Sequence, residues 1–249
     1  MELDHCTWPE VGAYLKKSTG ILVPIGSTEQ HGPNGLMGTD SICSKLTACA
    51  AADKVNALVA PTIPVGIAQH HMGFSGTMTI RPSTLVLLIK EWVFSLAHHG
   101  FEKFFFVNGH GGNIATIGAA FSEIYGERSL AAEGDNRPDL RCRQLNWWES
   151  PAAKKIVREL YGANEGMHAA CSEVAVTQFS FPEHIKNVVL DPPVAPGPNR
   201  FTDAPDFRRK FPDGRIGSNP SLATPEAGKR LVEAAAGDIA DAYTKFIES

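Results

Sequence analysis

The chain has 249 residues, of which 43% are hydrophobic, and a formal net charge of −4. This length allows one large α/β domain or two small ones, and we expect a single domain over residues 1–249. No lysine- and arginine-rich block stands out, which argues against a nucleic-acid partner. The N-terminus lacks a signal-peptide pattern, and no apolar stretch approaches the ~18–20 residues of a membrane span. We therefore expect a cytoplasmic protein without a membrane partner, and the five scattered cysteines favour reduced thiols.

Apolar runs and helical spacings predict alternating strands and helices in the first half of the chain. The predicted elements, in order, are helix 9–17, strand 21–25, a helix from residue 39, strand 58–66, short strand 78–80, helix 81–99, strand 104–107 and helix 114–124. Most strands run into a polar or glycine-rich loop and then a helix, which is typical of βαβ units. We predict an α/β fold, a three-layer sandwich with a central, mostly parallel sheet whose carboxyl ends carry the ligand site.

The second half of the chain has a weaker pattern. It predicts a strand over residues 140–147, a partly helical segment over 148–160, a helix ending near 179 and a closing helix over 224–247. Several prolines interrupt residues 188–211, which predicts an irregular surface excursion and a candidate contact between subunits.

The loop after the first strand places Glu29, His31 and Asp40 within twelve residues. Carboxylate and imidazole groups are ligands of hard-to-borderline divalent metals. On an extended backbone, residues two apart project to the same side, so Glu29 and His31 can face one centre. Each also has an ordinary interpretation: a solvated loop acid, a hydrogen-bonded loop histidine and, for Asp40, an acid at a helix start.

Two further segments carry candidate ligands. His110 lies in a glycine loop after a phenylalanine-rich strand, where a phosphate-cradling turn is the alternative, although the glycine spacing does not match GxGxxG. His168 and Glu173 lie at a loop-to-helix junction, where an acid also stabilises the helix start. His70 and His71 are weaker candidates for the surroundings of the site.

Together, Glu29, His31, Asp40, His110 and Glu173 supply two imidazoles and three carboxylates. That is too many ligands for one tetrahedral zinc with an open position. The set fits two metals ~3.5–4 Å apart that share a carboxylate. His168 then remains free to act as a proton donor.

Four motifs carry a resemblance to a known family: GSTEQHGP at residues 26–33 with Asp40, HHMGFSGT at 70–77, NGHGGN at 108–113 and HAACSE at 168–173. In this order, over about the first 180 residues, they resemble the creatininase (creatinine amidohydrolase) family. The resemblance implies a creatininase-like α/β fold, a binuclear metal centre with two divalent ions such as Zn²⁺, Mn²⁺ or Fe²⁺, amide hydrolysis, and a homo-oligomer that is often a hexamer.

By residue, the resemblance implies that Glu29 and His110 hold one metal, His31 holds the other and Asp40 bridges them. Creatininase itself has a metal-binding glutamate where this chain has Gly112. In other branches a later glutamate, matching Glu173, supplies that ligand, and we expect the same here.

Two more departures concern the substrate. Met167 stands where creatininase has a glutamate, and Cys171 stands where many members have an acid. These changes argue against creatinine as the substrate and leave formamides, peptides and other cyclic compounds open.

The expected reaction is therefore hydrolysis of a C–N bond, chiefly a non-peptide one, in a small-molecule cyclic amide or formamide. A metal-bridging hydroxide would attack the carbonyl carbon, and His168 would donate a proton to the leaving nitrogen. Two alternatives stay open: a phosphate- or nucleotide-binding module that uses the glycine loop, and a non-catalytic relative that keeps its metals for stability or partner binding.

Overall fold

The computed structural model describes residues 1–135 and 137–249. It contains four strands, β1–β4 in chain order: Gly20–Ile25, Leu58–Val59, Lys103–Asn108 and Arg141–Asn146. Its α-helices, α1–α8 in chain order, are Trp8–Leu15, Thr39–Val55, Pro82–Ala97, Ile114–Ser129, Pro151–Leu160, Cys171–Ser180, Ala204–Lys210 and Pro225–Glu248. Among the described residues, no helix is long and apolar enough to cross a membrane.

The four strands form one sheet in the order β2-β1-β3-β4, and every neighbouring pair is parallel. Ile25 pairs with Asn108, and Asn108 pairs with Asn146, so three strands end at the same level. The loops that follow β1 and β3 therefore emerge side by side at the carboxyl edge of the sheet.

Helices cover both faces of the sheet, which confirms the predicted three-layer α/β architecture. Phe105 and Val107 of β3 pack into a core with α2, α5, α6 and α8. Phe104 and Phe106 point the opposite way, into a core with α1, α3 and α4. Because successive strand residues face opposite sides, a continuous apolar run is what a strand covered on both faces requires.

Three predicted elements differ from the structure. Residues 78–80 form no strand and contribute only an isolated antiparallel bridge between Thr28 and Met78. The second strand is limited to Leu58–Val59, because Pro61 and Pro64 lack the N–H that a sheet ladder needs. The stretch 188–211 is not wholly irregular, since it contains α7.

Candidate functional site

The loop after β1 brings Glu29 and His31 into the protein interior, where both side chains are fully buried. The Glu29 backbone N–H donates to Met37 O at 2.9 Å, which fixes the loop. His31 Nδ1–H donates to Glu29 O at 3.1 Å. This bond turns the other ring nitrogen, Nε2, towards the acids: it lies 3.1 Å from Asp40 Oδ1 and 3.8 Å from Glu173 Oε1.

Asp40 lies in the first turn of α2 and is 2% exposed. Its two carboxylate oxygens face different histidines, since Oδ1 faces His31 and Oδ2 lies 3.1 Å from His110 Nδ1. The loop after β3 can approach this closely because Gly109 has no side chain. A Cβ atom there would lie 2.0 Å from Asp40 O.

His110 is held from its backbone and from its ring. Its N–H donates to Asn108 Oδ1 at 3.1 Å, and its carbonyl accepts from Asn108 Nδ2 at 2.8 Å. Its ring Nε2–H donates to Ile67 O at 2.8 Å. The remaining nitrogen, Nδ1, faces the Oε1 atom of Glu29 at 3.3 Å as well as Asp40. A hydrogen bond that fixes one ring nitrogen in this way is typical of metal-binding histidines.

Glu173, in the first turn of α6, makes one contact expected of an acid that stabilises a helix start and one expected of a candidate metal ligand. Its Oε1 atom accepts a 2.6 Å hydrogen bond from Ala170 N, so the side chain caps the helix. The same oxygen faces His31 Nε2 at 3.8 Å, so the capped carboxylate also borders the cluster.

The structure thus brings the five predicted ligands together as two groups that share one acid. One group is Glu29, Asp40 and His110, and the other is His31, Asp40 and Glu173. Within each group, one potential ligand atom per residue lies within 4.8 Å of the others. A carboxylate between two such groups is the arrangement of a two-metal site.

The charges of the cluster depend on one another. Burial alone would lower the pKa of His31, but Asp40 and Glu173 outweigh it and raise that pKa to about 10. Burial likewise opposes protonation of His110, yet Glu29 and Asp40 raise its pKa to about 9. Without metal, the buried carboxylates therefore retain protons on both imidazoles, and a metal ion that bound here would have to displace them.

The predicted proton donor, His168, lies at the edge of the same cluster. Its Nε2 atom is 2.8 Å from Gln30 O, and its Nδ1 atom is 3.8 Å from Glu29 Oε1. Its ring centroid lies 4.6 Å from that of His31. Burial, with the neighbouring His71 and His31, holds the pKa of His168 well below the usual range, so its ring is neutral.

Two buried residues, His71 and Gln30, lie next to the cluster. The sequence motifs indicated a weak role for His71 and none for Gln30. His71 Nε2 lies 3.2 Å from Glu29 Oε1, and His71 Nδ1 lies 2.8 Å from Gln30 Nε2. The HHMGFSGT motif was the only available signal for His71. Its neighbour His70 instead stacks on Phe201, with ring centroids 4.8 Å apart.

A cavity of about 500 Å³ opens beside the cluster and reaches Asp40, His110 and His168. Trp147, Trp148 and Val157 form apolar parts of its wall, whereas Lys154 and Glu165 add ionisable groups. The sequence did not predict these wall residues, because Trp147 and α5 follow the last strand with no motif to mark them.

A family model described as creatinine amidohydrolase matches residues 4–243. The mycofactocin precursor peptide peptidase of Mycolicibacterium smegmatis is 41% identical over 107 residues, which are 40% of this chain and 42% of the relative. The chain thus matches less than half of that relative's length. The creatinine amidohydrolase of Pseudomonas putida is 26% identical over 249 residues, covering 95% of this chain and 93% of the relative.

Solved structures agree on the fold. A manganese form of creatininase superposes with a TM-score of 0.84 at 23% identity, covering 100% of this chain and 99% of that one. A zinc–zinc form of a creatininase mutant gives a TM-score of 0.84 at 23% identity, with coverage of 100% and 98%. The names of the relatives agree with the hydrolase class expected from the motifs. The match over almost the whole chain shows that it belongs to the creatininase family.

Proposed function

We propose that this chain is a metal-dependent amidohydrolase that cleaves the C–N bond of a cyclic amide, a formamide or a related small amide. The observation that carries the proposal is the pair of ligand groups that share Asp40, in which only Glu173 is partly exposed. Glu29 and His110 would hold one divalent ion, His31 and Glu173 the other, and Asp40 would bridge them.

The residues fit such ions because several of their buried carboxylate oxygens make no hydrogen bond. Among the described residues, both carboxylate oxygens of Glu29 and Oδ2 of Asp40 are buried without a hydrogen-bond partner. Burying carboxylate oxygens in this way is costly unless a cation compensates them. Mixed oxygen and nitrogen donors suit Zn²⁺, Mn²⁺ or Fe²⁺, and two such ions would supply an activated water and polarise the scissile carbonyl.

His168 is placed to move a proton in both directions. Its Nε2–H donates to Gln30 O, so Nδ1 is bare and faces the cluster. In this state the ring first accepts a proton from the attacking water and then returns it to the leaving nitrogen. The proton donation that the sequence predicts for His168 is therefore the second of these two proton transfers.

The glycine loop after β3 offers backbone N–H groups to a developing oxyanion. The N–H groups of Gly109, His110 and Asn113 donate to Ile25 O, Asn108 Oδ1 and His110 O, respectively. These bonds leave the amide of Gly111, which lines the cavity, for this role.

The residues of the cavity wall indicate which kind of amide substrate the site would accept. Apolar surface from Trp147, Trp148 and Val157 favours a substrate with an apolar group near the scissile bond, and Lys154 and Glu165 can meet a polar end. The relatives carry the names of a peptide peptidase and a creatinine amidohydrolase, so the substrate panel should include short peptides.

The two alternatives are less well supported. A phosphate at the glycine loop would lie beside the buried acids Glu29 and Asp40, which would repel it. In a non-catalytic metal protein His168 could be a further ligand, since its ligand atom lies within 4.8 Å of those of Glu29 and His31, but the cavity of about 500 Å³ that opens at the same place favours a bound substrate.

The test is a panel of lactams, formamides and short peptides, assayed with zinc- and manganese-loaded protein. The panel should contain an amide that is hydrolysed, and His168→Gln should lower kcat by roughly 10²–10⁴-fold at unchanged metal content. His98→Gln, at the exposed end of α3, is the control. Less than about one metal per chain would rule out the binuclear site. Two bound metals without cleavage of any amide would favour the non-catalytic alternative.

A further inference from the structure

The side chain of Gln30 is buried between two histidine rings and makes four polar contacts. Its Nε2 atom lies 2.8 Å from His71 Nδ1, 2.9 Å from His168 Nε2 and 3.0 Å from Gly214 O. Its Oε1 atom lies 2.8 Å from Gly32 N. An amide nitrogen has two hydrogens, so it can donate to two of its three neighbours.

Two backbone groups fix the orientation of this amide. The Gly32 N–H can only donate, so the atom facing it is the amide oxygen; Gly214 O can only accept, so the atom facing it is the amide nitrogen. Gly214 allows this packing because it has no side chain. A Cβ atom there would lie 1.9 Å from Gln30 Oε1. One of the two amide hydrogens is therefore used by Gly214 O.

The backbone carbonyl of Gln30 determines which nitrogen of His168 carries the proton. That oxygen lies 2.8 Å from His168 Nε2, and a bare nitrogen at this distance would bring two lone pairs together. His168 Nε2 must therefore be protonated and donate to the carbonyl. It cannot also accept from the Gln30 amide, so their 2.9 Å approach is a contact between two donors.

The second amide hydrogen of Gln30 is then left for His71. His71 Nδ1 accepts it at 2.8 Å and is unprotonated, which places the ring hydrogen on Nε2. His71 Nε2–H faces Glu29 Oε1 at 3.2 Å, an electrostatic contact without hydrogen-bond geometry. The His71 and His168 rings also stack, with centroids 4.3 Å apart, so neither can turn alone.

We propose that Gln30 is a positioning residue that sets the tautomers of both histidines. Its side chain keeps His71 in the Nε2–H form, which presents a hydrogen to Glu29. Its carbonyl keeps His168 in the Nε2–H form, which presents a bare Nδ1 to the cavity. The consequence for catalysis rests on the proposed function, whereas the tautomers do not depend on it.

Histidine ring ¹⁵N spectra of the metal-free and zinc-loaded protein test this assignment. The chain has nine histidines, so selective histidine labelling is practical, and His71→Gln and His168→Gln identify the two sets of signals. In the unsubstituted protein, both rings should show a protonated Nε2 and an unprotonated Nδ1. A protonated His71 Nδ1 would overturn the proposal before any substitution of Gln30 is examined.

Gln30→Glu replaces the donor with an acceptor of the same shape. His71 should then gain a proton on Nδ1, whereas His168 should keep its Nε2–H because the carbonyl is unchanged. Gln69→Glu, the same exchange at an exposed position two residues before His71, should leave both rings as they are. If an amide substrate is found, Gln30→Glu should also lower kcat by about 10–100-fold. An unchanged His71 ring in folded Gln30→Glu protein would contradict the proposal, whether or not the enzyme is active.

Discussion

Gly112 leaves no room for a side chain beside the His110 ring. A Cβ atom at this position would lie 2.4 Å from His110 Nε2 and 2.4 Å from Ile67 O, the two atoms of the hydrogen bond that orients the ring. The glutamate that creatininase carries here therefore cannot be accommodated on this backbone. The carboxylate that borders His31 comes instead from Glu173, at the start of α6.

Gly112→Glu should weaken the site rather than restore a creatininase-like ligand. Displacing His110 from Ile67 O removes the bond that fixes the ring, and such losses typically cost 10–100-fold in metal affinity, so we expect a fall of about that size. Zinc affinity can be measured by competition with a chelator. Gly118→Ala is the control, because a Cβ there meets nothing within 4 Å. Zinc binding by Gly112→Glu as tight as that of the parent would contradict the steric argument.

Substitution of Glu173, which belongs to one ligand group, and of Asp40, which belongs to both, should lower the metal content to different extents. For the proposed binuclear site, Glu173→Gln should remove one of the two ions per chain, because Glu173 belongs only to the group with His31. Asp40→Asn should weaken both ions, because Asp40 belongs to both groups. Elemental analysis of dialysed protein gives the stoichiometry, with Glu183→Gln at an exposed position as the control. Equal metal contents in the Glu173 and Asp40 variants would argue against a bridging Asp40.

Arg215 is fully buried and should be important for stability. Its guanidinium group contacts Asp213 Oδ2 at 2.7 Å and donates to three backbone carbonyls, those of Pro192, Pro193 and Ser218. Arg215→Met keeps much of the volume but leaves these acceptors unpaired, so the free energy of unfolding should fall by about 3 kcal/mol.

Urea unfolding followed by circular dichroism measures this loss. Arg209→Met, which removes an exposed arginine paired with Asp206, should have a much smaller effect. Similar decreases of the unfolding free energy in the two variants would show that the buried contacts of Arg215 stabilise the fold no more than an exposed ion pair does.

Glu165, in the cavity wall, should make stability depend on pH. Burial raises the pKa of this carboxyl to about 7, against hydrogen bonds from Ser172 that lower it. In the unfolded chain a glutamate has a pKa of about 4.3, so the folded state binds the proton more tightly. The contribution of Glu165 to stability is therefore fully present below about pH 4 and is lost as the pH rises through 7.

Glu165→Gln stays neutral and should remove this loss. The decrease in the unfolding free energy of metal-free protein between about pH 5 and pH 8 should be smaller in the variant than in the parent. Urea titrations at the two pH values give the comparison. Parallel pH dependences in the two proteins would show that Glu165 is not perturbed as described.

Much of the fold could be predicted because its determinants are local. The buried strands β1 and β3 are apolar runs that end in polar or glycine loops, and α8 begins with a threonine cap and a proline. Residues 78–80 misled the prediction, because a short apolar segment does not reveal whether a neighbouring strand is available for pairing. Helix α7 was missed because prolines dominate residues 188–211, although Asp203 caps this helix.

The candidate site could be predicted to the extent that its residues lie in distinctive motifs. Glu29, His31 and Asp40 occur together after one strand, and His110 follows another, so the parallel order of the sheet already brings them to one edge. The sequence could not predict that His71 faces Glu29 while its neighbour His70 stacks on Phe201, since both are histidines in the same short segment.

The sequence by itself determined the types of the candidate ligands, their order along the chain and the alternation of strands and helices, because these depend on side-chain chemistry and short-range spacing. Only the tertiary structure decided which oxygen of Asp40 faces which histidine, which nitrogen of each ring faces the acids, and that Glu173 reaches His31 from α6. These relationships join residues far apart in the chain, up to 142 positions for the last pair. They depend on how the loops at the sheet edge pack, and glycines such as Gly109, Gly112 and Gly214 determine how closely the backbones approach.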